Sequence, residues 1–90
     1  MKAVITVLGK DNVGILAKVS NACAGKNINI LEVTQSVLQD LFAMIMLVEF
    51  ERDTTPSFEE LSADFDKLGE EIGTKIHIMH EDIFNSMHKI

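Results

Sequence analysis

The chain has 90 residues, 47% of them hydrophobic and 24% charged, which is the size and composition of one small globular domain. Its formal net charge is −6, with 8 basic against 14 acidic residues, and this balance argues against nucleic acid and anionic membranes as direct partners. The single cysteine excludes an internal disulfide, and no apolar run is long enough for a signal peptide or a transmembrane helix. Together these features favour a soluble, cytoplasmic protein.

The first quarter of the chain predicts a strand followed by a helix. Residues 3–8 are apolar and largely β-branched, so they predict a buried strand that ends in a turn over 9–12. Apolar residues then recur at helical spacing over 14–24, and Leu16 widens their stripe. Asp11 or Asn12 is expected to cap this helix, and Gly25 with Asn27 to end it. The stripe consists of Ile15, Val19, Ala22 and Cys23.

The middle of the chain predicts a pair of strands joined by a hairpin turn at Gln39-Asp40. Residues 27–37 mostly alternate between apolar and polar, although Ile28 and Ile30 fall on the polar parity. Residues 41–50 are apolar on both parities, which predicts a strand buried on both faces. Because only two main helices are available to cover the sheet, this strand indicates further cover by a second copy of the chain.

The last third predicts a helix, a strand and a short terminal helix. Ser57 and Glu60 have the spacing of a capping box, and Gly73 is suited to end the helix. Its predicted buried stripe is Phe58, Leu61, Phe65, Leu68 and Ile72. Residues 74–80 predict a strand, and 81–90 predict an amphipathic helix that packs on the domain or on a dimer partner. The stripe of that terminal helix is Ile83, Phe84, Met87 and Ile90.

The order of elements is therefore β-α-β-β-α-β with an added helix. Right-handed crossovers fold this order into an α+β, ferredoxin-like sandwich, in which both main helices cover one face of a four-stranded antiparallel sheet. We expect one domain over residues 1–80 and the terminal helix over 81–90.

One motif resembles the signature of the ACT domain family. It consists of Asp11-Asn12-Val13-Gly14-Ile15-Leu16, Val19 and Gly25-Lys26-Asn27-Ile28-Asn29-Ile30. The family pattern runs Asp-Arg-Pro-Gly-Leu-Leu, then Val, then Gly, then Ile-Asn-Ile. Asn12 and Val13 depart from it, but Val at that place is familiar in small stand-alone members and in members similar to the glycine cleavage regulator.

The resemblance implies a regulatory module that binds an amino acid or a related metabolite, usually across a dimer interface. The ligand acceptor of the loop falls on Asp11, and the asparagine of the second strand falls on Asn29. The histidine of serine-binding members falls on Gly9 and is absent, which argues against serine bound in that mode. The candidate ligand-binding residues are Asp11, Asn12, Val13, Gly14, Ile15 and Asn29.

The chemistry of these residues fits an α-amino acid independently of the family. The free N–H groups at a helix start favour a carboxylate, and Gly14 would allow the ligand a close approach. Asp11 suits an ammonium group, and Asn29 both donates and accepts. A purely structural explanation stays open, in which Gly14 relieves packing and Asp11 or Asn12 only caps the helix.

No residue pattern indicates catalysis, a cofactor or a metal site. His77 and His80 are three residues apart on a strand and should face opposite ways, and Cys23 lies on an apolar helix stripe. Met44, Met46 and Met79 are expected in packing. Arg52, the only arginine, has no phosphate-binding loop beside it, which argues against an acylphosphatase-type enzyme on the same fold.

The sequence thus predicts a homodimeric, non-enzymatic sensor that binds a small molecule, such as an amino acid, and signals to an effector protein that the sequence does not identify. The alternative is a structural dimerisation or adaptor protein without a ligand. Whether the dimer would pair sheet to sheet or edge to edge stays open.

Overall fold

The computed structural model describes residues 1–10, 14–50 and 57–87. The elements in chain order are β1 (Lys2–Lys10), α1 (Ile15–Gly25), β2 (Asn29–Leu38), β3 (Leu41–Glu49), α2 (Phe58–Ile72), β4 (Thr74–His80) and α3 (Glu81–Met87). This order confirms the predicted βαββαβ arrangement with a terminal helix.

The sheet has the strand order β2-β3-β1-β4, and all three pairings are antiparallel. The first strand, β1, is therefore central, with β3 on one side and β4 on the other. Ile5 pairs with Met46 of β3 and with Ile78 of β4, and this register gives the three strands a common apolar face. The strands β2 and β4 are the edges.

The hydrophobic core lies between one face of this sheet and the two main helices. The sheet contributes alternate residues, such as Ile5, Val7 and Met44, which are fully buried. The helices contribute their predicted stripes to the same cluster, namely Ile15, Val19 and Cys23 from α1 and Leu61 and Phe65 from α2. Both helices therefore cover one face, as predicted, although Leu16 is exposed and does not widen the α1 stripe.

The second helix begins and ends as its sequence predicts. The Ser57 hydroxyl accepts a hydrogen bond from the Glu60 backbone N–H at 3.2 Å, which satisfies a donor of the first turn. Gly73 has φ 73° and its N–H donates to the carbonyl of Gly69, so the chain leaves the helix in a left-handed conformation and enters β4 at once.

The first strand is longer than its apolar run. Gly9 and Lys10, predicted in a turn, belong to β1 and pair with Phe42 and Leu41 of β3. Hydrogen bonding from neighbouring strands extends β1 beyond the residues that it buries. The remainder of the predicted turn, Asp11 and Asn12, lies outside the described residues.

A β-bulge in β2 explains the mixed parity at the start of that strand. Ile30 pairs with Val48 and Glu32 pairs with Leu47, so Leu31 is an extra residue without an opposite partner. The bulge reverses the alternation after Ile30. Ile30 consequently lies on the helix-covered side and packs against the core, although it shares sequence parity with the polar residues that follow.

The second face of β3 is less buried than predicted. Phe42, Met44, Met46 and Val48 are buried on the helix side. On the opposite side Leu41 is 45% exposed and Ile45 is 42% exposed. No helix covers that part of the sheet within the described residues, so the expectation of burial on both faces is wrong for the single chain. We call this opposite side of the sheet the open face.

The helix α3 covers one end of the open face. It follows β4 without a linker and packs against β1. Val4 of β1, which lines the same cavity as Phe84 of α3, is only 4% exposed although it points away from the main core. Ile83, predicted on the apolar stripe, is 51% exposed. His88–Ile90, the predicted end of this helix, lie outside the described residues.

The close approach of α2 to β4 should make Gly69 intolerant of a side chain. A Cβ atom there would lie 2.8 Å from the backbone carbonyl oxygen of Thr74, and backbone gives way only at a cost. We expect Gly69→Ala to lower the free energy of unfolding by about 1–3 kcal/mol, as overpacking does. Urea denaturation followed by circular dichroism measures this change.

Gly25→Ala is the matched control, because a Cβ atom at Gly25 meets nothing within 4 Å. It lies at the end of α1 and should be neutral or stabilising by up to about 1 kcal/mol. An equal loss of stability in both variants would contradict the packing argument.

Candidate functional site

The residue before the first turn of α1 is a glycine because of its backbone conformation. Gly14 is the N-cap residue and has φ 90°, a left-handed conformation that L-residues adopt at a cost. A Cβ atom there would meet nothing within 4 Å, so relief of packing does not explain this glycine. Its carbonyl accepts the first helical hydrogen bond, from Lys18 N–H at 2.9 Å.

No side chain in the described part of the chain caps this helix. The first-turn N–H groups of a helix point outward along its axis, where an anionic group can accept from them. Asp11, Asn12 and Val13, three of the predicted ligand residues, lie outside the described residues, as does the predicted capping by Asp11 or Asn12.

Ile15, another candidate, is a core residue that is 2% exposed. Its side chain packs with Val19 and Cys23 in the main hydrophobic cluster. Only its backbone N–H, in the first turn of α1, is available to a ligand. The side-chain role of Ile15 is therefore to anchor the start of the helix to the sheet.

Asn29, the last candidate, is exposed at the start of β2, at the far end of the sheet from Gly14. It pairs with Glu49, and Glu49 pairs with Lys2, whereas the loop to α1 leaves β1 after Lys10. The eight residue steps from Lys2 to Lys10 span roughly 26 Å at 3.3 Å per residue. The structure does not bring Gly14 and Asn29 together within one chain.

The two histidines in the described residues, His77 and His80, do not cluster. His80 lies on the helix side, where its ring stacks on Phe58 with centroids 4.3 Å apart and planes at 13°. His77 is exposed and pairs with Thr6 on the open face, so the two histidines face opposite ways, as predicted. No three His, Cys, Asp or Glu side chains gather in the described ranges. Met44 and Met46 are core residues, which confirms their predicted packing role.

A second concave surface, which the sequence reasoning missed, lies between α3 and the open face. Its cavity has a volume of about 180 Å³. It is lined by Val4, Glu32, Thr34, Ile45, Leu47, Glu81, Phe84 and Asn85. The sequence offers one signal for it, which is that α3 follows β4 without a turn between them. An amphipathic helix that begins directly at the end of an edge strand must stay close to the sheet.

Comparison with known proteins identifies the family. The ACT domain family model matches residues 2–79, nearly the whole described fold. The chain belongs to the ACT domain family. None of the helices among the described residues is long and apolar enough to span a membrane.

This ACT domain has close relatives of the same length. A UPF0237 protein of Listeria monocytogenes is 48% identical over 90 residues, which is all of both chains. The solved ACT domain protein from Streptococcus pneumoniae is 38% identical, with a TM-score of 0.84 over 98% of each chain.

Larger proteins contain the same fold. A proposed glycine cleavage system transcriptional repressor is 19% identical, with a TM-score of 0.74 over 87% of this chain and 44% of its own, so it shares the fold. The regulatory subunit of aspartate kinase from Thermus thermophilus is 26% identical, with a TM-score of 0.64 over 87% of this chain and 50% of its own.

The only cysteine of this ACT domain is a core residue rather than a reactive one. Cys23 is fully buried on α1. Burial raises the pKa of its thiol from 9.0 to about 11, and the nearby Lys26 ammonium opposes this rise only in part. A neutral, inaccessible thiol agrees with the predicted packing role.

This raised pKa predicts a loss of stability at alkaline pH. Below pH 9 the thiol is neutral in both the folded and the unfolded chain, so its ionisation does not lower the free energy of unfolding there. As the pH rises from 9.0 to about 11, the thiol ionises in the unfolded chain before it can ionise in the folded one. This ionisation stabilises the unfolded chain and so lowers the free energy of unfolding. The free energy of unfolding should fall by roughly 2–3 kcal/mol from this group.

Urea denaturation of the parent and of Cys23→Ala at several pH values in this window measures the effect. The variant should show a shallower decline, whatever its stability at neutral pH. Parallel pH profiles would contradict the assignment.

Proposed function

We propose that this ACT domain is a sensor that binds an amino acid or a related small metabolite between two copies of the chain and passes its occupancy to a partner protein. The observation that carries the proposal is the separation of Gly14 and Asn29 by the length of the sheet, with an unpaired strand edge beside them. A ligand held by both residues needs a second copy.

The edge strand β2 offers a route to such a pair. It has ten residues, Asn29–Leu38, and those whose side chains are described are exposed except Ile30. An exposed edge of this length is a template for pairing with another strand. If two copies pair antiparallel through β2 about a two-fold axis, Asn29 of each comes to lie beside Leu38 of the other.

That pairing brings the two halves of the candidate site to one end of the extended sheet. Leu38 pairs with Leu41, and Leu41 pairs with Lys10, which is the last residue of β1 before the loop. The start of α1 in one copy would then lie at the same end of the extended sheet as Asn29 of the other. Two equivalent sites would result, one at each end of the β2 pair.

The chemistry of such a site suits a zwitterion. The carboxylate of an α-amino acid would accept from the N–H groups of the first turn of α1, where Gly14 allows a close approach. The Asp11 carboxylate would accept from the ammonium group, and Asn29 of the second copy would bind either end. ACT domains are regulatory modules that often bind amino acids, so the chemistry and the family agree.

A structural dimerisation or adaptor role is the second candidate, and the open face favours it. Leu8, Leu41 and Ile45 are each more than 40% exposed there, and a row of exposed apolar residues favours burial against a partner. This function needs no ligand.

A thermal-shift screen against the twenty amino acids and common purine and pyrimidine metabolites separates the two candidates. A ligand at 100 times its dissociation constant adds about 2.7 kcal/mol to stability, which is a shift on the order of 10 °C for a domain of this size. Asp11→Ala and Asn29→Ala should each abolish the shift of the responding ligand. Asp66→Ala, at an exposed aspartate of α2, is the matched control and should preserve it.

No response across the panel would favour the adaptor role. A response that survives both Asp11→Ala and Asn29→Ala would place the ligand elsewhere and contradict the proposed site.

The proposed site also predicts a dimer that pairs through β2. Sedimentation velocity at micromolar concentration should give a dimer, and Val33→Lys in the middle of β2 should weaken it, because the two-fold axis brings like charges together. Lys75→Glu on the opposite edge strand is the control. A monomeric parent, or a dimer disrupted only by the control, would exclude a ligand site shared through β2.

A further inference from the structure

We propose that the cavity between α3 and the open face is a second ligand site, which takes a short aliphatic diamine. The site shares no residue with the one proposed at the start of α1. The proposal rests on the shape of the cavity, the apolar character of its floor and the two carboxylates that line it.

The floor of the cavity is an apolar strip on the open face. Val4 pairs with Leu47, and the next row of the sheet brings Ile45 opposite Thr34. The side chain of Phe84, on α3, forms the opposite wall. Contact with these surfaces suits a hydrocarbon chain rather than a polar body.

Two glutamates line the cavity from its two ends. Glu32 pairs with Leu47 and lies on β2, at one edge of the sheet. Glu81 follows β4, at the other edge. Three strand spacings of 4.8 Å separate the backbones of β2 and β4 by roughly 14 Å, so carboxylates that lean inward from the two sides leave room for a chain of about four or five carbons.

The charge of the lining selects a cation. Glu32 and Glu81 are its only ionisable residues, and no Lys, Arg or His is among the described lining residues. Neither carboxylate has a salt bridge in the described part of the chain. Ammonium groups donate charge-assisted hydrogen bonds to carboxylates, so a cation with two amines fits this lining.

The volume restricts the size of the ligand. About 180 Å³ corresponds to roughly six water molecules at 30 Å³ each. This is smaller than the usual range for drug-sized ligands, which favours a small ligand. A four-carbon chain with an amine at each end has six non-hydrogen atoms and places one ammonium beside each glutamate.

Binding of 1,4-diaminobutane to the full chain, measured by calorimetry, tests the proposal. Butylamine keeps one ammonium and 1,4-butanediol keeps none, so affinity should fall in that order. Glu32→Gln and Glu81→Gln should each weaken diaminobutane binding roughly three- to tenfold. Glu59→Gln, at an exposed acid on α2, changes the net charge equally and should leave the affinity unchanged.

Methyl NMR spectra locate the ligand. Diaminobutane should shift the signals of Val4, Ile45 and Leu47 and leave the core residues Val19 and Leu61 unmoved. Thr34→Phe, on an exposed edge position, should fill the cavity and abolish binding while the protein stays folded by circular dichroism.

Several outcomes would overturn the proposal. The first is the absence of saturable binding up to roughly 10 mM diaminobutane. The second is an equal loss of affinity in Glu32→Gln and Glu59→Gln. The third is that the methyl signals shift when the protein is diluted and not when diaminobutane is added, which would assign the open face to contact with a second copy. Asp11→Ala should leave diamine binding intact, so failure of the amino-acid site and failure of this one are distinguishable.

Discussion

The antiparallel pairing of β1 with both β3 and β4 is the constraint on which the rest of the structure depends. Because β1 is central, Ile5 is opposite Met46 on one side and Ile78 on the other, and the three strands present a single apolar face. Both helices, α1 and α2, pack on that face and leave the other face of the sheet to α3. With β1 in the centre, β2 pairs with β3 alone and has an exposed outer edge.

The same register separates the two ends of the sheet. It puts the start of α1 at the Lys10 end and Asn29 at the Lys2 end, with the eleven residues of α1 connecting them. Residues close together in a sequence motif are thus far apart in the folded chain. In our proposal the motif becomes one site only when a second copy reverses the direction of β2.

The uncovered part of the open face is the second consequence. Within the described residues, one face of the sheet has two helices of eleven and fifteen residues, whereas the other has the seven residues of α3. A helix that short covers Val4 and leaves Leu41 and Ile45 exposed. The cavity lies at the border between the part of the open face that α3 covers and the part that stays exposed. There the apolar residues of the sheet lie next to the acidic residues Glu32 and Glu81.

Local chemistry made several parts of the structure readable in advance. The capping spacing of Ser57 and Glu60, the glycine at 73 and the stripe of α2 each depend on neighbours within a few residues, so the sequence predicts them directly. The order of strands and helices and the side of the sheet that the helices cover follow from periodicity and chain handedness. The motif around Gly14 resembles that of a family of regulatory modules, and the ligand-binding role that this resemblance implies stays a prediction.

Only the tertiary structure decided the features that depend on pairing between distant segments. The bulge at Leu31 changes the side to which β2 residues point; the parity of Ile28 and Ile30 is its trace in the sequence, but the position of the extra residue is set by pairing with β3. The extension of β1 through Lys10 comes from its pairing with β3, which continues one residue beyond the pairing with β4, and not from its own residues. The distance between Gly14 and Asn29, and the meeting of Glu32, Phe84 and Glu81 around one cavity, are set by register and by the path of α3. By itself, the sequence determined the order of the elements and the helix faces that pack on the sheet. Hydrogen bonding between strands that are remote in the chain decided the rest, because it sets the distances between residues such as Gly14 and Asn29.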